Sequence, residues 1–375
     1  MAGIYIHIPF CKQACYYCDF HFSTSLKRKN ELISSICKEI QLRKNEISGD
    51  IKTIYFGGGT PSILKTEEIN LIINEVYHNF KVEDNIEITL EANPDDLSEE
   101  KIIQLSRSKI NRLSIGIQSF FNTDLILMNR AHNHKEAATC LELATQYFEN
   151  ISIDLIYGIP GLSDQRWVEN LEKAISFGVP HLSSYALTVE PKTALKKQID
   201  LGKVTPVSEK DSHRHYLILL AKMKKHGFVN YEFSNFGKEG FYSQNNMAYW
   251  QGKNYLGVGP SAHSFDGKKR SWNINNNIKY IHTIQENKLP IEREVLTITD
   301  RYNEYLMTGL RTMWGVSISK IDFEFGKAFA TYLLKQAEKP LEEGLLKIHN
   351  KDTLLITEKG KFLSDGIASN LFMVE

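Results

Sequence analysis

Near its start the chain reads Ile4-Tyr5-Ile6-His7-Ile8-Pro9-Phe10-Cys11-Lys12-Gln13-Ala14-Cys15-Tyr16-Tyr17-Cys18. Residues 4–8 are mostly branched and apolar, which is typical of a buried strand. Three of the chain's five cysteines then follow within eight residues. Soft thiolates at this density select zinc, Cu(I) or an iron–sulfur cluster. The stretch therefore predicts a strand that leads directly into a metal-binding loop.

Beyond this stretch, short apolar runs alternate with amphipathic helical segments as far as about residue 187. The predicted strands cover residues 4–8, 53–56, 86–91, 112–118, 151–156 and 182–187. Strand–helix repetition indicates parallel strands joined by right-handed crossovers. Six such units fit either an open doubly wound sheet or most of a barrel. We expect an α/β fold with a partial (β/α)6 barrel, because polar residues recur at the strand ends, where a barrel carries its chemistry.

Strand parity selects three of these polar residues. Successive side chains of a strand point to opposite faces, and residues 112–118 place small or polar side chains on one face, which ends at Gln118. Glu91 and Asp154 share a face with polar neighbours on two other strands. A single polar residue at a strand end commonly caps a helix or anchors a loop. Three of them on different strands predict a shared polar site.

The chain has 375 residues, which is room for about two domains. We expect a barrel core over residues 1–230, an aromatic-rich connecting segment over 231–299 and a C-terminal helix-hairpin-helix domain over 300–375. Lys+Arg and Asp+Glu number 45 each, so the overall charge gives no reason to bind nucleic acid or an anionic membrane. No signal peptide or membrane-spanning apolar run is visible, and five cysteines argue against a disulfide framework. We therefore expect a cytoplasmic protein with no integral membrane segment.

The connecting segment is densest in aromatic residues between positions 231 and 272. Ten aromatic side chains fall there, about twice the number expected from the chain average of 11%. Two interpretations stay open. The segment is either a satellite of the hydrophobic core or a surface for a flat, apolar ligand, since aromatic rings suit both.

The C-terminal region predicts the order helix, helix, hairpin, helix, which resembles a winged helix. The first helix is expected to reach Met313, the second covers residues 325–333, and Thr357 is expected to cap the last. The region holds 10 Lys+Arg against 11 Asp+Glu, whereas a DNA-reading module carries a basic face. We therefore expect this α+β domain to pack or to cover a ligand, and we expect no nucleic-acid partner.

The cysteine loop leaves two kinds of site open. Its cysteines are Cys11, Cys15 and Cys18. A structural zinc ion needs four ligands, and His21 would be the fourth, so a zinc-stapled interaction protein stays an alternative. A four-iron cluster held by three thiolates leaves one iron without a protein ligand, and such an iron can bind a substrate.

At this point the residues resemble a known superfamily, the radical S-adenosylmethionine (SAM) enzymes. Their C-x-x-x-C-x-x-C loop follows a first strand, and their open iron chelates the amino and carboxylate groups of SAM. The reduced cluster then cleaves the sulfonium to form a 5′-deoxyadenosyl radical. The run Phe56-Gly57-Gly58-Gly59-Thr60 fits this resemblance, because bare backbone lets amides approach a charged ligand.

The resemblance narrows, over nearly the whole chain, to the oxygen-independent coproporphyrinogen III oxidase family and its HemW-type heme-chaperone branch. It is carried by Glu91-Ala92-Asn93-Pro94, by residues 114–120, by Asn129-Arg130-Ala131-His132 and by residues 153–160. By similarity, the three clustered cysteines hold a [4Fe-4S] cluster. The residues that would contact SAM are Tyr5, Gly58, Gly59, Thr60, Glu91, Gln118, Arg130 and Asp154.

Two departures distinguish the branches of this family. The oxidases resemble C-x-x-x-C-x-x-C-x-C and carry a long N-terminal extension, whereas here Phe20 stands at the last position and ten residues precede Cys11. Both features favour the heme-chaperone branch. Its His-Asn-x-x-Tyr-Trp signature, associated with heme, reads Asn245-Asn246-Met247-Ala248-Tyr249-Trp250 here. An amide is a poor iron ligand compared with imidazole, so any axial ligand of heme would come from another histidine, first of all His263, for which a structural role stays the alternative.

The resemblance implies a protein that binds a [4Fe-4S] cluster, SAM and heme, and that transfers heme to an acceptor protein not identified by the sequence. An electron donor for the cluster is a second implied partner. The first alternative is an oxidase that decarboxylates coproporphyrinogen III in porphyrin biosynthesis. The second is the zinc-stapled interaction protein.

Overall fold

The computed structural model describes residues 2–374. Six parallel strands form the centre of its large sheet, and all six occur where the apolar runs predict them. They are β1 (Ala2–Ile8), β2 (Ile51–Gly58), β3 (Val82–Ala92), β4 (Arg112–Gln118), β5 (Ile151–Tyr157) and β6 (His181–Ala186). They pair in chain order, each with the next.

Helices connect these strands and cover one face of the sheet. They are α1 (Lys29–Leu42), α2 (Thr66–Asn79), α3 (Glu99–Ser106), α4 (Asn122–Leu127), α5 (His134–Tyr147) and α6 (Asp164–Ser176). Their apolar stripes pack on the branched residues of that face, such as Ile54, Leu90 and Ile115, to form the main core. The other face carries the polar residues that parity selects, which is the arrangement of a barrel and not of a doubly wound sheet. Since β1 and β6 do not pair within the described sheet, the barrel is partial, as predicted.

The segment 231–299 supplies strands to both edges of this sheet. The elements after β6 are α7 (Ala194–Asp200), α8 (Glu209–Lys225), β7 (Val229–Glu232), β8 (Asn235–Gly237), α9 (Gln244–Trp250), β9 (Asn254–Val258), β10 (His263–Phe265), β11 (Lys269–Asn273), α10 (Asn277–Gln285) and β12 (Ile291–Val295). The strand order is β12-β11-β10-β9-β1-β2-β3-β4-β5-β6-β8-β7, with β9 parallel to β1. The domain limits at 230 and 299 stay predictions.

Helix α9 closes the amino-terminal end of the barrel interior. The carboxylate of Glu87, on β3, accepts the amides of Gln244 at 3.0 Å and Asn245 at 3.1 Å. A carboxylate at a helix N-terminus satisfies free amides and complements the helix dipole. The hydroxyl of Thr53, on β2, donates to the side chain of Asn245 at 3.2 Å. The opposite, carboxyl end of the barrel is left open for a site.

The C-terminal region has a small core and a three-stranded sheet of its own, with the winged-helix-like α+β character that the sequence predicts. Its elements are α11 (Ile298–Leu310), β13 (Val316–Ser317), α12 (Ile318–Phe325), α13 (Lys327–Glu342), β14 (Leu346–His349), β15 (Thr353–Ile356) and α14 (Ser364–Asn370). In residues 2–374, no helix is both long and apolar enough to cross a membrane.

Three details of this region differ from the prediction. Met313 lies beyond the end of α11. The second predicted helix, over residues 325–333, begins only at Lys327 as α13, because Gly326 has a φ of +99°, which a residue with a side chain rarely adopts, and separates it from α12. Thr357 does not cap the last helix. Its hydroxyl donates to the carbonyl of Gly344 at 2.7 Å, and α14 begins at Ser364.

Candidate functional site

A cavity of about 500 Å³ opens at the carboxyl ends of the barrel strands. We call it the barrel cavity. It brings together all three clustered cysteines and seven of the eight residues assigned to SAM by resemblance. The seven are Gly58, Gly59, Thr60, Glu91, Gln118, Arg130 and Asp154. These residues come from different strands and loops, so their convergence is a property of the fold.

Backbone contacts to distant segments hold the cysteine loop over this cavity. The amide of Cys11 donates to the carbonyl of Ser23 at 3.1 Å, which ties the start of the loop to its exit. The amide of Tyr16 donates to the carbonyl of Met128 at 3.1 Å. Asn129 donates from its side chain to the carbonyl of Ala14 at 2.8 Å. The segment that follows α4 therefore helps to hold the cysteine loop in place.

The three thiols are free and face donors that favour a metal-bound thiolate. The hydroxyl of Thr60 lies 3.4 Å from Cys11 Sγ, and the guanidinium of Arg130 lies 3.3 Å from Cys15 Sγ. Burial raises the pKa of Cys18 to about 11 and also raises that of Cys11. Thiols with such pKa values keep their protons at pH 7 unless a metal displaces them. The donor set therefore fits a soft metal centre.

The arrangement favours a cluster over a single zinc ion. In residues 2–374, no three His, Cys, Asp or Glu side chains are close enough together to enclose one metal ion. A four-iron cluster takes its thiolates on three different irons, so its ligands stand farther apart. His21, the fourth ligand of the zinc alternative, lines another cavity and its Nε2 lies 2.7 Å from Asn277 Oδ1. The structure does not bring His21 into the barrel cavity.

The glycine run packs on the strand end that enters the cysteine loop. Gly58 has a φ of +108°, and a Cβ placed on it would lie 2.6 Å from the ring of His7. A Cβ on Gly59 would lie 2.7 Å from the carbonyl oxygen of Phe10. The amide of Gly59 donates to the carbonyl of Ile8 at 2.9 Å. Glycine is required here for close approach to β1, in addition to any approach to a ligand.

Two carboxyl groups stand on neighbouring positions of the cavity floor. The hydroxyl of Tyr55 donates to Glu91 Oε1 at 2.7 Å, and Ser114 faces Asp154 across β4 and β5. Burial raises the pKa of Glu91 to about 7 and that of Asp154 to about 6. Both groups can accept hydrogen bonds from the hydroxyls of a ligand or pair with a cation. Either contact would lower their pKa again when the ligand binds.

Gln118 and Arg130 complete the far side of the cavity. Gln118 ends β4 with a φ of +65°, an uncommon conformation for a residue with a side chain and one that often marks a functional site. The second nitrogen of the Arg130 guanidinium donates to Asn93 Oδ1 at 2.6 Å and to the carbonyl of Gly116 at 2.9 Å. Its other terminal nitrogen is engaged by Cys15 and Tyr17, so the buried Nε, which has no hydrogen-bond partner among the described residues, is the donor left for a carboxylate.

Comparison with known proteins identifies the family. Residues 5–174 match the Radical SAM superfamily, and residues 296–363 match the HemN C-terminal domain. The heme chaperone HemW of Bacillus subtilis is 34% identical over 373 residues, with 98% of each chain covered. The heme chaperone HemW of Lactococcus lactis is 32% identical over 97% of this chain and 95% of its own. The chain belongs to the HemW family of radical SAM proteins.

The solved structure of a HemN protein agrees with membership of this superfamily. Coproporphyrinogen III oxidase from Escherichia coli, a radical SAM enzyme, superposes with a TM-score of 0.86 over 99% of this chain and 90% of its own, at 22% identity. That likeness shows the shared fold. The radical SAM fold implies a [4Fe-4S] cluster and SAM as cofactors, and the free thiols and the polar floor of the barrel cavity fit them. When bound and reduced, such a cluster would supply an electron to the sulfonium of SAM.

Tyr5 is the one residue of the SAM assignment that the barrel cavity does not include. Its ring lies under the glycine run, within 2.9 Å of a Cβ placed on Gly57, and its hydroxyl lies 3.3 Å from His7 Nδ1. It lines a second cavity on the other side of β1. A direct contact between Tyr5 and SAM stays a prediction.

Sequence reasoning missed some residues of the HemW-family site. Asn93, Tyr17 and Tyr185 also line the barrel cavity, and Asn93 links it to Arg130. The signal for Asn93 was present in the Asn-Pro motif after β3. Lys12, inside the cysteine loop, forms ion pairs with Asp95 at 3.1 Å and with Asp96. Nothing in the local sequence indicates that pairing, because the partners lie on separate loops.

Asn245 stands at the opposite end of the barrel from this site. It is 3% exposed, and its side chain and backbone are held by Thr53 and Glu87 in the floor formed by α9. Its side chain is not open to a large ligand. His263, in contrast, is exposed on β10 and lines the second cavity.

Proposed function

We propose that this protein is a heme chaperone, which binds heme, a [4Fe-4S] cluster and SAM and transfers heme to an acceptor protein in the cytoplasm. The observation that carries the proposal is the identity of 34% to a heme chaperone with 98% of both chains covered. Because 98% of both chains is covered, the similarity includes the aromatic-rich segment and the C-terminal domain. It is therefore not limited to the barrel cavity.

The three cysteines and the residues assigned to SAM each have a role in this proposal. Cys11, Cys15 and Cys18 bind three irons of the cluster. Arg130 pairs with the carboxylate of SAM, since a guanidinium and a carboxylate form paired charge-assisted hydrogen bonds. Glu91 and Asp154 accept hydrogen bonds from the ribose hydroxyls.

The remaining residues assigned to SAM, of which Tyr5 lies outside the barrel cavity, shape the same site. The backbone around Gly58 and Gly59 receives the amino group of SAM, with Thr60 beside it. Gln118 contacts SAM from the end of β4, and Tyr5 does so from β1.

Phe20 supports the chaperone over the oxidase. It occupies the position of the oxidase's additional cysteine and is 69% exposed at the mouth of the barrel cavity. A phenyl ring offers neither a metal ligand nor a proton donor there. The alternative activity, decarboxylation of coproporphyrinogen III at two propionates, would have to proceed without that cysteine.

Two partners follow from this function. A protein acceptor receives the heme, and a one-electron donor reduces the cluster.

The cytoplasmic location is tested by cell fractionation with an antibody to the chain. Recovery of the chain with the membrane fraction would contradict that location.

One preparation tests the function. The full chain is reconstituted anaerobically with iron and sulfide, titrated with hemin, and assayed with coproporphyrinogen III, SAM and a reductant. We expect the broad visible absorbance of the cluster, saturable heme binding, and no decarboxylated product. Release of the bound heme to apomyoglobin, used as a probe acceptor, follows transfer. Formation of decarboxylated product at a useful rate would favour the oxidase. Failure to bind heme at micromolar concentration would contradict the chaperone proposal.

A further inference from the structure

The second cavity lies between the sheet edge and the C-terminal domain. We call it the cleft cavity. Its volume is about 630 Å³, within the range of about 300–1,000 Å³ that is usual for sites of small molecules and cofactors. One wall comes from β1, α9, β9 and β10, and the other from α11 and α12. A ligand there would contact both parts of the chain.

Aromatic rings form much of the lining. Tyr249 and Tyr255 meet edge to face with their ring centres 4.6 Å apart, and Phe265 lies 6.3 Å beyond Tyr255. Phe325 closes the cavity from α12. Aromatic rings that line a cavity can pack against a flat, apolar macrocycle. The aromatic-rich segment therefore contributes both to the core and to a concave surface.

Three histidines line the cleft cavity, and their hydrogen bonds distinguish them. His7 uses both ring nitrogens, one with the hydroxyl of Tyr5 at 3.3 Å and one with the carbonyl of His21 at 3.1 Å. His21 is engaged with Asn277. His263 makes no side-chain hydrogen bond within residues 2–374, and only the ring of Trp272, 5.9 Å away, packs beside it. Its imidazole is the one in this cavity with both nitrogens available.

An imidazole whose nitrogens are not engaged by protein groups also suits a metal ligand, because it offers a lone pair that iron can take.

The rim of the cleft cavity carries an unpaired cation. Arg270 is paired with Glu304 at 2.6 Å, and Lys320 lies 4.0 Å from Glu324. Arg301 has no carboxylate partner among the described residues, and its guanidinium lies over the ring of Phe325 at 6.0 Å. An unpaired guanidinium beside aromatic walls matches a carboxylate attached to a flat apolar body.

We propose that the cleft cavity is the heme site, with His263 as the axial ligand of the iron and Arg301 as the partner of a propionate. This assignment rests on the proposed function, and it adds the location and the ligand. Phe20 lines both the cleft cavity and the barrel cavity. Heme in the cleft therefore lies beside the loop that holds the cluster.

Hemin titration of the reconstituted full chain tests the site by the position of the Soret band and the dissociation constant. We expect His263→Ala to shift the Soret band and to weaken binding roughly tenfold or more, and we expect added imidazole to restore the band. Arg301→Glu should weaken heme binding but leave the Soret band in place, because it removes the partner of a propionate and not the ligand of the iron. His282→Ala, an exposed histidine on α10, is the matched control and should leave both readouts unchanged.

The outcomes separate the site from the function. If the unmodified chain does not bind heme, the chaperone proposal fails. If it binds heme and His263→Ala keeps the same band and affinity, the heme site lies elsewhere and only the cleft assignment fails. The same holds if His282→Ala shifts the band as strongly as His263→Ala does.

Discussion

The guanidinium of Arg130 donates a hydrogen bond to the sulfur of Cys15 at 3.3 Å, across 115 positions of the chain. Its other terminal nitrogen reaches Asn93 at 2.6 Å, on the loop after β3. One side chain thus connects the cysteine loop to the polar floor of the barrel cavity. A charge in this position would act both on the cysteine sulfurs and on a cofactor bound beside them.

We therefore expect Arg130→Leu to lower both iron retention and SAM affinity. Arg130→Lys should retain iron better, because it keeps the charge, but it should still weaken SAM, because an ammonium cannot form the paired hydrogen bonds of a guanidinium. Iron content per chain and equilibrium dialysis with labelled SAM measure the two effects. If both variants retained as much iron and bound SAM as tightly as the unmodified chain, the role of Arg130 would be only to hold the loop in place.

Replacement of Cys11, Cys15 or Cys18 by Ser should abolish bound iron and the broad visible absorbance. A hydroxyl is a hard ligand and a poor substitute for a thiolate on iron. Cys37→Ser and Cys140→Ser are matched controls, since both residues are buried in helices outside the barrel cavity. Loss of the absorbance in either control would contradict the three-ligand assignment.

Glu91→Ala and Asp154→Ala should each weaken SAM and leave the iron content unchanged. Loss of a buried acceptor costs about 1–3 kcal/mol, or roughly 5- to 150-fold in affinity. Glu142→Ala, at an exposed position of α5, should leave the affinity unchanged. If SAM bound Glu91→Ala and Asp154→Ala as tightly as the unmodified chain, the two carboxyl groups would be structural.

The raised pKa values of the carboxyl groups also predict a pH dependence of stability without cofactors. Glu91 binds its proton up to about pH 7 when folded, but only to about 4.5 when unfolded. Its contribution to the free energy of unfolding is therefore full below pH 4.5 and is lost as the pH rises through 7. Since one pKa unit corresponds to about 1.4 kcal/mol, Glu91→Gln should reduce the loss between pH 5 and 8 by on the order of 1–3 kcal/mol.

Urea unfolding of the reduced apoprotein at the two pH values measures this change. Burial lowers the pKa of His7 and His132 to about 4, and these residues act with the opposite sign, since their neutral forms stabilise the fold as the pH rises toward 6.5. The quantity to compare is therefore the difference between Glu91→Gln and the unmodified chain. An identical pH dependence in both would contradict the prediction, and Glu142→Gln serves as the control.

Heme binding should survive Asn245→Ala. The residue is buried in the floor of the barrel, and its loss removes one hydrogen bond from Thr53, which is worth about 1 kcal/mol of stability. The Soret band and the dissociation constant should stay unchanged, while the free energy of unfolding falls slightly. If Asn245→Ala lost most of its heme affinity while the fold stayed intact, α9 would supply the axial ligand or support it, and the prediction would be wrong.

Much of this structure follows from local pattern. The six barrel strands occur where apolar runs predict them, because the strand face that packs against the helices demands a branched apolar residue at every second position. The inward orientation of Glu91, Gln118 and Asp154 follows from the two-residue repeat of a strand, which is also a local property. The break at Gly326 was missed for a local reason, because the apolar period continues across it while the backbone does not.

The sequence by itself determined that six parallel strands alternate with helices, that three thiols share one loop, and that polar residues stand on one face of the strands. Only the tertiary structure decided which distant residues meet. It placed Arg130 against Cys15, put Tyr5 and His21 on the cleft cavity, closed the barrel floor with Asn245, and left the His263 side chain with no hydrogen-bond partner among the described residues. Such contacts depend on how strands register and how loops cross, and a residue's near neighbours in the chain carry no information about side chains that reach it from a hundred positions away.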